Sequence, residues 1–192
     1  MAAYPLEGSE ADMIAALILA DGGTDRLADQ WLALRSAGLD PLRVAVGRTP
    51  AGDAPASGLS RENFVRDRSR ARTPFSAMQS GLRALLAADD WDAVVLQPLE
   101  AAPPHPSVVL ALLTRLAEGD AGAVRPVHRR RGGFPVVMAR EAAEALLDVD
   151  PRRGTLDAVL SALEDAGALV TLEVYTSEVL GARARRGSGA GK

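Results

Sequence analysis

Three stretches of this 192-residue sequence carry residue types that could do chemistry. The first is Asp21-Gly22-Gly23-Thr24, between the apolar run Met13 to Ala20 and a helix-like segment. A glycine loop between a strand and a helix turns backbone N–H groups and a positive helix end toward phosphate oxygens. Gly22 and Gly23 permit close approach, but Asp21 sets a negative charge among those donors. At about 4 Å, two like charges in a medium of intermediate dielectric repel by roughly 4 kcal/mol. A magnesium ion could offset that repulsion; without one, an aspartate beside two glycines most simply bonds the N–H groups of its own turn. The second stretch is Pro98 to Pro106, where Glu100 sits on a loop stiffened by proline. A carboxylate so placed suits a hard divalent cation, though one carboxylate alone makes a weak site. The third is the basic run His128 to Arg131, which fits an anionic acceptor, a partner or a solvated hairpin tip.

Other chemistries are excluded. The chain has no cysteine, so disulfides, thiolate zinc sites and cysteine nucleophiles are absent. His105 and His128 are its two histidines and fall in different loops. Ser76 has no triad partners within a recognisable pattern. Gly22-Gly23 lacks the remainder of a dinucleotide fingerprint, and the stretch after Leu96 holds no D-x-D. Lys192, the last residue, is the only lysine, so no mechanism here can use a lysine from a rigid element.

Composition sets the frame. The chain is 47% hydrophobic, 24% charged and 4% aromatic, which predicts a core built from Ala, Leu and Val rather than rings. A net charge of −3 gives no overall pull toward nucleic acid or an anionic membrane. The first residues lack the basic and apolar regions of a signal peptide, and no apolar run reaches about 18 residues. A cytoplasmic protein without a membrane span is expected. Residues 1–181 read as one domain, and 182–192 as a flexible Gly- and Arg-rich tail.

These candidates need elements to hold them. Met13 to Ala20, Leu42 to Val46 and Trp91 to Gln97 read as buried parallel strands whose carboxyl ends meet at one edge. Asn63 to Asp67, Gly122 to Val127, Phe134 to Ala139 and Leu169 to Tyr175 read as further strands. Asp25 to Ala37, with Leu27, Trp31 and Leu34 at helical spacing, reads as the first helix, capped by Thr24. Helices are also expected over Ser76 to Ala88, Ser107 (as cap) to Glu118, Glu141 to Leu147 and Thr155 to Ala166. Strands alternating with helices predict an α/β fold: a Rossmann-like, mostly parallel sheet with helices on both faces.

With the loops placed, roughly Met13 to Leu180 resembles the nucleotidyltransferase family that includes molybdenum-cofactor guanylyl- and cytidylyltransferases. Leu19 to Trp31 is similar to the family's L-A-A-G-x-S-x-R-M-G-x-x-K, with Asp21 for an alanine, Ala28 for a glycine and Trp31 for the lysine. "TPFSAMQSGL" (Thr73 to Leu82) is similar to G-x-x-S-S-L-x-x-G-L, which frames the base. "VVLQPLEAAPPHP" (Val94 to Pro106) is similar to v-l-x-P-V-D-x-P-x-x-x-P, with Glu100 at the place of the metal-binding aspartate. "RRGGFPVVM" (Arg130 to Met138) resembles the G-H-P-V segment near the acceptor, and "LEVYTSEVL" (Leu172 to Leu180) resembles D-I-D-T-P-E-D-L.

The resemblance implies that Ala20, Gly22, Gly23, Thr24, Arg26 and Ser76 face the nucleotide, that Glu100 holds Mg2+, and that Gly133, Phe134 and Pro135 face the acceptor. It implies CTP or GTP and a small phosphorylated molecule as substrates, with pyrophosphate released. Arg26 and Arg48 are the candidates to replace the lysine, and Glu173 the candidate second carboxylate where Tyr175 replaces an aspartate. An altered phosphate loop leaves weak or no nucleotidyl transfer as the expectation. The other reading is a non-catalytic relative that works through a protein partner.

Overall fold

The computed structural model describes residues 13–20, 26–47, 59–88, 90–119, 121–176 and 179. Strand β1 (Ile14–Ala20) is central, because its side chains are apolar on both faces and it can be covered on both. It pairs in parallel with β2 (Leu42–Val46) and with β4 (Ala93–Pro98). β3 (Phe64–Arg66) adds to β2 in parallel and forms one edge. Beyond β4, β7 (Val136–Ala139) runs against both of its neighbours, antiparallel to β4 and to β5 (Ala123–His128). The two-residue β6 (Arg131–Gly132) folds back on β5, and β8 (Leu169–Glu173) pairs with β5 in parallel. The three strands expected as parallel neighbours therefore are so, in the order β2-β1-β4.

The alternation of β1 sorts the core into two layers. Ala16, Ile18 and Ala20 pack on one face with Leu27 and Leu34 of α1 (Leu27–Ser36) and Val109 and Leu112 of α3 (Pro106–Ala117). Ala15 and Leu17 pack on the other with Phe75, Met78, Leu82 and Leu85 of α2 (Pro74–Ala88). Ala143 of α4 (Arg140–Ala145) and Leu160 of α5 (Leu156–Asp165) complete that layer. Helices cover both faces of a Rossmann-like sheet, as expected.

Several boundaries shift for local reasons. α3 is capped two residues earlier than Ser107: His105 Nδ1 accepts from the Ser107 N–H, and Pro106 takes the first helical position, where its missing N–H has no consequence. α1 begins at Leu27 after Arg26, Asp25 lying outside the described residues, and the last strand ends at Glu173 rather than Tyr175. Thr155 caps α5 through the Ala158 N–H, as its position suggests.

α2 lies close on the sheet at Gly81. A Cβ there would stand 2.6 Å and 2.9 Å from the Leu17 methyl carbons and 3.1 Å from Ala45 Cβ. Leu17 is fully buried, so its side chain must shift into packed surroundings to make room. Gly81→Val is expected to cost about 1–3 kcal/mol through overpacking, read as a lowered denaturant midpoint with unchanged slope.

Candidate functional site

The carboxyl edge of the sheet is organised around the end of β1. The Gly47 N–H donates to Ala20 O at 3.3 Å from one side, and the Leu99 N–H to Leu19 O at 3.0 Å from the other. The reversal at β7 brings a third segment here: Val136 stands opposite Leu96, so Gly133-Phe134-Pro135 enters at the β4 end. β5 and β8 run parallel to each other toward the same edge, ending at His128 and Glu173. Topology thus gathers Ala20, Glu100 and Gly133–Pro135 along one rim. Arg26 is exposed just before α1 and makes no capping hydrogen bond. Gly22, Gly23, Thr24, Asp21 and Arg48 lie outside the described residues.

Glu100 is exposed between two buried anchors, Leu99 and Ala101. Two fully buried glutamines fix the loop that carries it. Gln30 of α1 donates its amide to Ala101 O at 2.7 Å, and Gln97 of β4 donates to Ala102 O at 3.0 Å. Buried amides so placed satisfy carbonyls that would otherwise cost about 1–3 kcal/mol each. Sequence reading missed both. The signal was present in Gln30, which shares the buried stripe Leu27, Gln30, Leu34 of α1, where an apolar residue is the norm. Trp31, next to it, is partly buried against the core and packs there.

Among the described residues no three His, Asp or Glu side chains cluster as a metal site. The Glu173 carboxylate accepts the Arg129 N–H at 3.1 Å, which commits it to the basic turn, and Tyr175 is 98% exposed.

Ser76 is buried at the start of α2 and braces the segment that leads into it. Its hydroxyl bonds Asp67 Oδ2, and it accepts the Thr73 N–H at 2.8 Å. Asp67 also accepts from the Ser69 N–H at 2.8 Å and from the hydroxyls of Ser69 and Ser80. Burial pushes the Asp67 carboxyl up, but the hydrogen bonds from Ser76, Ser69 and Ser80 outweigh it and hold the pKa below the usual aspartate value. A lowered folded-state pKa contributes stability that is full above the unfolded value and is lost as pH falls through the folded one. Asp67→Asn is accordingly expected to cost about 1–2 kcal/mol near neutral pH, with the gap to wild type closing below about pH 4, read by urea titration across pH.

Two hollows open on this rim. One, a shallow hollow, is lined by Leu19, Ala20, Ala45, Pro74, Ala77 and Met78, directly over the end of β1 and the start of α2. The other, equally shallow, lies between Ala102, Pro103, His105, Phe134 and Val179. The first has the apolar walls that suit a ring, and the second adjoins the segment that follows the basic turn.

Residues 16–170 match the family model of the MobA-like NTP transferase domain. The chain belongs to that family. Solved structures with its fold include a nucleotidyl transferase from Methanothermobacter, 21% identical over 88% of this chain and 91% of that one, TM-score 0.61. The 4-diphosphocytidyl-2C-methyl-D-erythritol synthase of Anaerococcus prevotii is 11% identical over 88% and 90%, TM-score 0.64. A Mycobacterium tuberculosis protein solved in complex with manganese is 16% identical over 85% and 89%, TM-score 0.59. No curated protein gives a significant match. As a MobA-like domain, the chain has an α/β sheet with Gly81 at the α2–sheet contact and a carboxylate, Glu100, on the loop after β4. Among the described residues, no helix is long and apolar enough to cross a membrane.

Proposed function

We propose that residues 1–181 form one nucleotide-binding domain of the MobA-like type whose nucleotidyl transfer is weak or absent. The nucleotide, CTP or GTP, enters over the end of β1. Its base meets the apolar hollow below Pro74 and Met78, and its phosphates point toward the Gly22-Gly23-Thr24 loop and Arg26. Glu100 holds Mg2+ against the phosphates, and a phosphorylated small molecule approaches beside Gly133, Phe134 and Pro135. Ser76 serves this site by holding the segment before α2, with its hydroxyl engaged by Asp67. A cytoplasmic location accords with this chemistry, and no nucleic acid is needed for it.

The observation that carries the weak-transfer reading is Trp31. Transfer builds negative charge on the α-phosphate and on the departing pyrophosphate, and a fixed cation is worth several kcal/mol there. Trp31 packs against the core and supplies none, and the chain's only lysine is Lys192. The test is a thermal-shift panel of nucleoside triphosphates with and without Mg2+ or Mn2+, paired with a pyrophosphate-release assay. Ligand at about 100 times its Kd adds roughly 2.7 kcal/mol. Metal-dependent stabilisation by CTP or GTP with little pyrophosphate release is the expected outcome. No stabilisation by any nucleotide would leave the partner-binding reading in its place.

A further inference from the structure

The two-residue hairpin between β5 and β6 concentrates charge that the nucleotide site does not use. Arg125 on β5 is half-buried, and its Nε is buried without a hydrogen-bond partner. Its guanidinium lies against Gly132, where an added Cβ would overlap it. Arg129, Arg130 and Arg131 follow on the tip, all exposed. Arg129 and Arg130 have φ of 51° and 64°, in the left-handed region that tight hairpins usually fill with Asn-Gly.

The tip is held in this conformation. The His128 Nδ1–H donates to Val174 O at 2.9 Å, the Arg129 N–H to Glu173 Oε1 at 3.1 Å, and the Gly133 N–H to Pro126 O at 2.8 Å. Among the described residues none of the four arginines forms an ion pair. Glu173, the carboxylate bonded to the turn, is engaged by a backbone N–H. The Arg125 Nε, buried and without a hydrogen-bond partner, carries a desolvation cost that an anion's oxygen would offset, and the exposed arginines of the tip add positive charge beside it. Guanidinium forks match the oxygens of a phosphate group. Gly132 permits Arg125 to lie across the turn, and Gly133-Phe134 leads from there into the hollow beside His105.

We propose that Arg125 and the Arg129–Arg131 tip bind the phosphate group of the small-molecule acceptor, with the rest of that molecule in the hollow at Phe134. The proposal rests on the nucleotide-binding reading above but names a separate anion site. The test uses the full chain and inorganic phosphate as probe, titrated calorimetrically at constant ionic strength against chloride. Arg125→Gln is expected to weaken phosphate binding tenfold or more, and Arg130→Ala, at an exposed position, several-fold. Arg115→Ala on α3 is expected to change nothing, and binding of CTP or GTP with Mg2+ is expected to survive both tip substitutions. Equal phosphate binding by wild type and both tip variants would overturn the proposal. Parallel loss of nucleotide binding would also overturn it, by placing the nucleotide's own phosphates on the tip. Tighter, arginine-dependent binding of a single-stranded RNA oligomer would overturn it in favour of a nucleic-acid surface. Arginine-dependent phosphate binding without any nucleotide binding would uphold the tip site while removing the nucleotide-binding reading.

Discussion

Asp21→Ala combined with Trp31→Lys is expected to tighten triphosphate binding about 10- to 100-fold, a gain of roughly 1.4–2.7 kcal/mol. One change removes the negative charge next to Gly22-Gly23 in the sequence, and the other puts a cation at position 31, where the sequence resembles the family's lysine motif. The gain is expected to be smaller than the sum of two bare Coulomb terms, because water and salt screen charges at a solvent-open site. Trp31 packs against the core, so the double variant is expected to lose about 1–2 kcal/mol of stability. Binding must therefore be titrated directly rather than inferred from melting. The wild type is expected to release pyrophosphate about 10²–10³ times more slowly than the double variant, the usual consequence of losing one charge-stabilising group. Robust wild-type turnover would show that an arginine has assumed the lysine's role. Weaker metal-dependent binding by Asp21→Ala alone would overturn the repulsion argument and make Asp21 a metal ligand beside Glu100.

Glu100→Gln is expected to abolish the metal-dependent part of nucleotide stabilisation, about 2.7 kcal/mol at 100 times Kd, while leaving the ligand-free melting temperature nearly unchanged. The side chain is exposed and forms no ion pair among the described residues, so its loss costs the fold little. Gln30→Met provides the complementary test. It keeps the volume on the buried stripe of α1 but removes the amide that holds Ala101 O. Metal affinity is expected to fall about 10- to 100-fold although Glu100 is untouched, because a ligand loop without its support samples other positions. Manganese titration followed by electron paramagnetic resonance reads both variants. Unchanged manganese binding in Glu100→Gln would take Glu100 out of the metal site. Loss only in Gln30→Met would point to a general loosening of the loop.

The sequence by itself determined the elements and their class. The apolar runs Ile14 to Ala20 and Leu42 to Val46 have to be buried on both faces, and the amphipathic stretches between strands have to cover them. Those are local patterns of period 2 and 3.6, and each residue contributes to them without knowledge of distant partners. The carboxylate at Glu100 and the basic turn after His128 were legible for the same reason: residue type and loop composition are local properties. Tertiary structure decided what meets what. The reversal of β7 placed Gly133–Pro135 on the rim with Glu100, and strand direction across a sheet is not written in the strand's own residues. Gln30 finds its partner 71 positions away, and its amide reads as a misplaced polar residue until α1 and the loop after β4 are packed together. Ser76 looked like a ligand-facing hydroxyl; Asp67, nine residues earlier, engages it, and only the fold of the intervening segment brings the two together. Arg125 and Gly132 share a strand pair, so the desolvation of one guanidinium depends on the absence of a side chain seven residues on. A short-range code fixes which residues are buried, whereas hydrogen-bond partners and charge neighbours follow from long-range packing that brings separated positions together.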